Sequence, residues 1–294
     1  MGDPQATRAD PAGPVTIHPL TTAAAIRPLE ELQHRVWGFD PVEVVPLHVL
    51  LTAARHGGSL LGAVRGERVV GFAFGFHGTD LDGTPVLCSH LLAVAPEARG
   101  AGVALALKQA QRRHALAAGV RRVLWTFDPL EHGNARLNLA RLAARSDRYL
   151  TDLYGTLRDE LNAGLPTDRL EVVWDLEAPE VIAACSAPAV GRSGAGLAVG
   201  ARTETSERFG PRLDPDGPGG GVADPDGAPA VRLAAPADAQ ALRTHDPDAA
   251  LVWRLHLREG MTRLFGAGYV AVSAGFGTEG PEYRFVRSDR LRSG

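Results

Sequence analysis

Lysine is almost missing from this chain: Lys108 is the only one among 31 basic residues, the rest being arginines. The bias reads as GC-rich coding and carries no mechanism of its own. Cysteine is nearly missing too, with Cys88 and Cys185 alone in 294 residues. Cys88 also lies in an apolar run that reads as a buried strand, which argues against a disulfide framework and for a reducing compartment. No surplus of positive charge exists, since the net charge is -3 and the pI about 6.4. This leaves no electrostatic footprint for nucleic acid, and no Lys/Arg run suggests a membrane surface. No apolar stretch reaches the roughly 20 residues that span a bilayer. Residues 1–14, rich in Asp, Pro, Ala and Gly, lack the apolar core of a signal peptide and read as a frayed tail. The expectation is a soluble, cytoplasmic protein whose partners are small molecules or other proteins.

What is present is ample apolar content, 45%, in a chain long enough for one large or two modest domains. Val15 to Leu20 reads as a strand, and Ile26, Leu29, Leu32 and Val36 recur at helical spacing within a helix from Thr21 to Trp37. A second helix follows Pro46 and stops at Gly57-Gly58. Three strands then form an antiparallel meander: Ser59 to Val64, Arg68 to Phe76 and Pro85 to Val94. Turn chemistry at residues 95–100 leads into a helix from Gly102 to Ala118. A strand follows from Val120 to Phe127, then a helix from about Asn134 to Ala144, and strands from Arg148 to Leu157 and Leu170 to Leu176. The class is α/β (α+β): a central mixed, mostly antiparallel sheet flanked by helices over residues 15–177. Residues 178–230 are dominated by Gly, Pro, Ala, Ser and Asp and read as linker or mobile loop. Residues 231–290 read as a small β-α-β-β unit, too short for an independent core and expected to dock on the first domain or on a second subunit. In its helix, Ala250, Trp253, Leu257, Met261 and Leu264 share one face.

The most informative stretch is the strand ending at Val94, the turn Arg99-Gly100-Ala101-Gly102, and the helix that begins at Val103-Ala104. A glycine-rich turn at a helix N-terminus exposes unpaired N–H groups, and the helix dipole adds positive potential there, so phosphate is the natural ligand. Taken alone, the pattern also fits a structural crossover or a nucleotide fingerprint. There is no third glycine for a dinucleotide motif, no Gly-Lys-Ser/Thr, and the preceding strands are a meander.

Arg99-Gly100-Ala101-Gly102-Val103-Ala104 resembles the Arg/Gln-x-x-Gly-x-Gly/Ala signature of the GNAT superfamily of N-acetyltransferases, approached as usual by Val94-Ala95-Pro96-Glu97. In detail the chain is similar to a little-characterised bacterial-type branch. The stretches that carry this likeness are Ser89-His90-Leu91-Leu92-Ala93-Val94, Thr126-Phe127-Asp128-Pro129-Leu130 and Asn162-Ala163-Gly164-Leu165-Pro166-Thr167-Asp168-Arg169.

The resemblance implies a GNAT fold that uses acetyl-CoA or another acyl-CoA as co-substrate and needs no metal. It assigns Leu92, Ala93 and Val94 to the pantetheine arm, through main-chain groups, and residues 99–104 to the pyrophosphate. Asn134 matches an Asn that contacts CoA in relatives, although an N-cap reads the same way.

Two positions depart from the pattern. Where many relatives carry a Glu base on the signature strand, this chain has Cys88, which leaves His90, expected on the same face, as the candidate base. A buried core histidine would look no different in sequence. Arg141 stands where relatives often place the Tyr that reprotonates the CoA thiolate, so Tyr149 and Tyr154 become the candidates, each equally readable as an ordinary strand aromatic. Asp128 is a candidate holder of a substrate ammonium, or simply turn chemistry before Pro129. The implied activity is N-acyl transfer, acetyl by default, to a small-molecule amine or amino acid. Succinyl transfer, a protein acceptor, a non-catalytic acyl-CoA sensor or scaffold, and a homodimeric assembly are compatible alternatives.

Overall fold

The computed structural model describes residues 13–155, 164–186, 212–213 and 227–291. The tail expected at residues 1–14 lies almost wholly outside them. So do Asn162, Ala163 and most of the 178–230 stretch. The chain divides into two compact units, residues 1–121 and 122–294. That division falls inside the 15–177 segment read as one domain from sequence.

In the first unit, β1 (Val15–Pro19), β2 (Ser59–Arg65), β3 (Arg68–Thr79) and β4 (Pro85–Val94) pair antiparallel in chain order. The helix expected from Thr21 to Trp37 is two helices, α1 (Ala23–Ile26) and α2 (Pro28–Trp37). Thr22 Oγ1 caps α1 by accepting from the Ala25 N–H, and Pro28 restarts the helix at a position where its missing N–H costs nothing. Gly38, at φ 64°, ends α2 in the left-handed conformation that favours glycine. With α3 (Leu47–Arg55), these helices cover one face of the meander. Ile26, Leu29, Leu32 and Leu50 pack there against Leu60, Phe72, Phe74, Leu91 and Ala93. Each buried leucine or isoleucine of this layer contributes about 1.5–3 kcal/mol.

The opposite face receives α4 (Val103–Ala117), whose Val103, Leu107 and Ala110 pack on Leu61, Ala63, Val70 and Ala73. Close approach here depends on Gly71, because a Cβ would stand 2.8 Å from the Ala93 carbonyl and 3.3 Å from Val103.

The second unit is built on strands in the order β5 (Arg122–Phe127), β7 (Arg169–Asp175), β6 (Arg145–Leu150), β10 (Tyr269–Gly277), β11 (Gly280–Arg287), β9 (Ala230–Ala234) and β8 (Arg212–Leu213). All neighbours are antiparallel except β8 and β9. Trp174, fully buried on β7, donates its indole N–H to the Leu142 carbonyl and meets Trp125 edge-on. The helix expected from Asn134 is a short α5 (His132–Ala135) running into a π-helical turn, Arg136–Arg141. β6 stops at Leu150, so Tyr154 lies in a turn and not on a strand as expected.

Within the stretch read as linker, Pro179–Ser186 forms a helix, α6, with Pro179 at its start, Glu180 in its first turn and Val181 buried. The C-terminal helix is also two, α7 (Ala239–His245) and α8 (Pro247–Gly266). Asp246 caps the second by accepting from the Ala249 N–H, just before Pro247. On α8 the buried face carries Ala250, Leu257, Met261 and Leu264 as expected, but Arg254 sits on it fully buried while Trp253 is only half-buried. Gly260 allows α8 to lie close on β9, since a Cβ there would meet Leu233 at 2.7 Å. A last helix, α9 (Ser288–Leu291), follows β11.

Candidate functional site

In the first unit the loop between β4 and α4 has the features an anion needs. After a short 3-10 turn at Pro96–Ala98, Gly100 and Gly102 both adopt φ 76°, and Gly102 is the N-cap of α4. A Cβ at either glycine would meet no atom within 4 Å. The glycines are therefore required by backbone conformation, not by crowding from the protein, and the space beside them is open. Arg99, Gly100, Ala101 and Gly102 are exposed, while Val103 is buried and Ala104 half-buried. No side chain caps α4 and its first turn holds no acid, so the leading N–H groups and the helix dipole face outward unopposed. Arg99 folds back, its Nε donating to the Val94 carbonyl at 3.3 Å. Arg35 grips both carboxylate oxygens of Glu97 at 3.0 Å and ties the loop's shoulder to α2.

Leu92, Ala93 and Val94 pair with Ala73, Phe72 and Gly71 of β3. Leu92 and Val94 pack toward α4, Ala93 toward the α1–α3 layer. Farther back on β4 the register is interrupted. Gly75 pairs with Ser89 but Phe74 with Leu91, so His90 is an extra residue, the bulge of the strand. Bulges re-aim side chains and are common beside active sites.

The His90 ring sits 6.1 Å from Phe74, edge-on, and 5.9 Å from Phe76. It is more than a third exposed and has no hydrogen-bond partner among the described residues. Partial desolvation lowers its pKa, so the imidazole is neutral at neutral pH and able to accept a proton.

In the second unit, Asn134 is exposed within α5 and is not its N-cap, a position held by Glu131. Asp128 does not offer a free carboxylate. Arg254 donates to both of its oxygens at 2.8 Å, Arg243 donates to Oδ2 at 2.7 Å, and the Leu130 N–H donates to Oδ1 at 2.8 Å. Burial works to raise its pKa, but Arg254 and Arg243 outweigh it and the net shift is downward. The carboxylate expected to hold a substrate ammonium is thus already paired with two guanidiniums. Arg243 also bridges to Glu131.

Tyr149 is likewise committed, its hydroxyl donating to Asp168 Oδ2 at 2.7 Å. Burial first, then the neighbouring Asp168 carboxylate, raises its pKa far above the ordinary phenol value, which makes it a poor proton donor. Arg258 closes the group with two bonds of 2.8 Å to Asp168. Tyr154 is the available tyrosine. It is 48% exposed, its hydroxyl lies 3.1 Å from Thr126 Oγ1, and the Arg169 guanidinium stands over its ring at 5.3 Å. Its turn is rigid because Thr167 Oγ1 accepts from the Tyr154 N–H and Asp152 Oδ1 accepts from the Thr167 N–H.

Sequence reading missed Arg243, Arg254 and Arg258. Only the four-residue spacing of Arg254 and Arg258 on α8 signals that two of them share a face. Ser89 and Lys108 were also passed over. Among the described residues no cluster of His, Cys, Asp or Glu could hold a metal ion, and no helix is long and apolar enough to cross a membrane.

No curated protein matches the chain. Several solved structures do. A Streptococcus mutans protein is 20% identical, covering 55% of this chain and 99% of its own, at TM-score 0.46. A GNAT family acetyltransferase from Elizabethkingia anophelis with acetyl-CoA bound is 17% identical, covering 55% and 97%, at 0.42. An N-acetyltransferase from Staphylococcus aureus is 15% identical, covering 56% and 100%, at 0.44. At these identities and scores the likenesses say nothing about side-chain roles. Sequence is more direct: residues 24–140, which run from α1 through the glycine loop to the π-helical turn, match the model of the Acetyltransferase (GNAT) family.

Proposed function

We propose that the chain is an acyl-CoA-dependent N-acyltransferase that transfers an acyl group, acetyl by default, to the amine of a small molecule or amino acid. The observation that carries this reading is the open, left-handed Gly100/Gly102 loop at the head of α4, on the strand whose bulge presents His90. The fit to a pyrophosphate is physical: exposed backbone donors, no acid in the first helical turn, and no protein atom where the glycines lack a Cβ.

Residues 99–104 hold the pyrophosphate and the main chain of Leu92, Ala93 and Val94 pairs with the pantetheine arm. Acyl-CoA bound there supplies the activated thioester. His90 accepts the proton that an ammonium must lose before its nitrogen can attack a carbonyl. Of the two candidate tyrosines, Tyr149 is tied to Asp168, and Tyr154 keeps the more accessible hydroxyl. The test is a thiol-release assay with a panel of acyl-CoAs, including succinyl-CoA, against small amines and amino acids. Release with at least one pair is expected, and none with any pair overturns the reading. Stabilisation by acyl-CoA without release would instead identify a non-catalytic sensor, the reading that the commitment of Asp128 and Tyr149 favours.

A further inference from the structure

The one lysine of the chain is not on its surface. Lys108 is 1% exposed, on the inner face of α4. Its Nζ donates to Ser89 Oγ at 2.9 Å and to Gln111 Oε1 at 3.0 Å, and both partners are themselves buried. Burial pulls its pKa well below the ordinary ammonium range. An arginine could not serve here, because a guanidinium does not shed its charge and would have to be paired in the core. In a chain that otherwise uses arginine for every basic residue, a lysine at this position has a chemical reason beyond coding bias.

The partner it selects is informative. Ser89 immediately precedes His90, the extra residue of the β4 bulge, and is the last β4 residue in register with Gly75 before the slip. A bulge leaves its extra residue outside the ladder, so strand pairing alone does not fix where that side chain points. A bond from a rigid helix to the adjoining residue supplies the missing constraint. Gly75, opposite Ser89, is fitted to this arrangement: a Cβ there would stand 2.9 Å from the Cys88 carbonyl and 3.1 Å from Gln111 Nε2.

We propose that Lys108 is a positioning residue, a buried tether from α4 to Ser89 that sets the β4 bulge and thereby aims His90. The role rests on the reading of His90 as the base, and Lys108 itself touches no reactant.

The test uses the full chain with Lys108→Met, which keeps length and apolar volume, and Ser89→Ala, which cuts the same tether from the strand side and protects the experiment if the first variant does not fold. Two readouts are taken. Titration of the His90 ring followed by NMR needs no substrate; either variant is expected to shift its resonance and midpoint. Steady-state kinetics with an active pair should show kcat reduced roughly tenfold or more with the KM for acyl-CoA within about twofold, because misaiming costs rate and not cofactor binding. The double variant should lose no more than the worse single one, since both cut one bond. Folded variants with unchanged His90 titration and unchanged kcat would overturn the proposal and reduce Lys108 to packing. A wild-type chain without thiol release would sink the acyltransferase reading, while the NMR arm would still decide whether the tether governs His90.

Discussion

Replacing Asp128 by Asn separates a structural carboxylate from a substrate-binding one. The change keeps shape and removes one charge from a site where Arg254 and Arg243, 1% and 5% exposed at the side chain, converge on an aspartate that is itself 10% exposed. Taking one partner from a buried pair leaves the other charge uncompensated, at about 3–5 kcal/mol. Here the loss falls on two arginines, and Glu131, at 34% exposure and bonded to Arg243, cannot replace it. For a cooperative unit of this size, each kcal/mol lowers Tm by roughly 2–4 °C, so Asp128→Asn should melt about 6–20 °C below wild type. Glu131→Gln, at the rim, should lose less than about 1 kcal/mol. Adding Arg254→Met to Asp128→Asn should restore part of the loss, because the unpaired cation is then gone. The pH dependence follows from the sign of the shift. The folded-state pKa of Asp128 is depressed, so its contribution is complete above the unfolded value and is lost as pH falls through the folded one. Wild-type Tm should therefore fall on acidification below about pH 4, and that part of the fall should be absent from the Asn variant. Thermal unfolding of the full chain measures all of this. An Asp128→Asn protein with wild-type Tm and a raised KM for the amine would refute the argument and restore the ammonium-binding role.

His90→Ala should lower kcat by roughly 10²–10⁴-fold while leaving acyl-CoA binding, read by calorimetry, nearly unchanged. Because a base works when neutral and desolvation lowers the His90 pKa, kcat/KM should be flat at neutral pH and fall on the acid side below about 6.5; a limb above neutrality would assign the base elsewhere. Gly102→Ala forces a Cβ into the left-handed region at about 1–2 kcal/mol, so the acyl-CoA KM should rise about 5- to 30-fold with kcat preserved. Tyr154→Phe should reduce kcat with little change in Tm, whereas Tyr149→Phe should cost about 1–2 kcal/mol of stability by removing a donor from buried Asp168; the reverse pattern would exchange their roles.

The parts of the fold that could be read from sequence are those set by local chemistry. The three-strand meander, the glycine loop and the helix after it follow from period-two alternation, a turn that needs positive φ, and apolar spacing, all within one short segment. Pro28, Pro179 and Pro247 mark helix starts in the structure; Pro28 was overlooked because the apolar stripe from Ile26 to Val36 runs across it, and Pro179 because it opens a Gly/Pro-rich stretch. The bulge at His90 could not be read at all. Burial along β4 still alternates across it, with Ser89 and Leu91 buried on either side of an exposed His90. The interruption exists only in the pairing with β3, which is a relation between strands and leaves no mark on one of them. The same holds for Arg254 and for Lys108. A cation inside an apolar stripe reads as a solvated neighbour of the core until the acceptor that neutralises or replaces its solvation is found, and those acceptors, Asp128 and Ser89, lie 126 and 19 residues away. The charged residues that sequence dismissed are thus the ones whose roles depend on long-range contact. Of the two, Lys108 bears more directly on the proposed function, since its tether reaches the strand that presents His90, the proposed base, while Arg254 secures the carboxylate that sequence had assigned to the substrate.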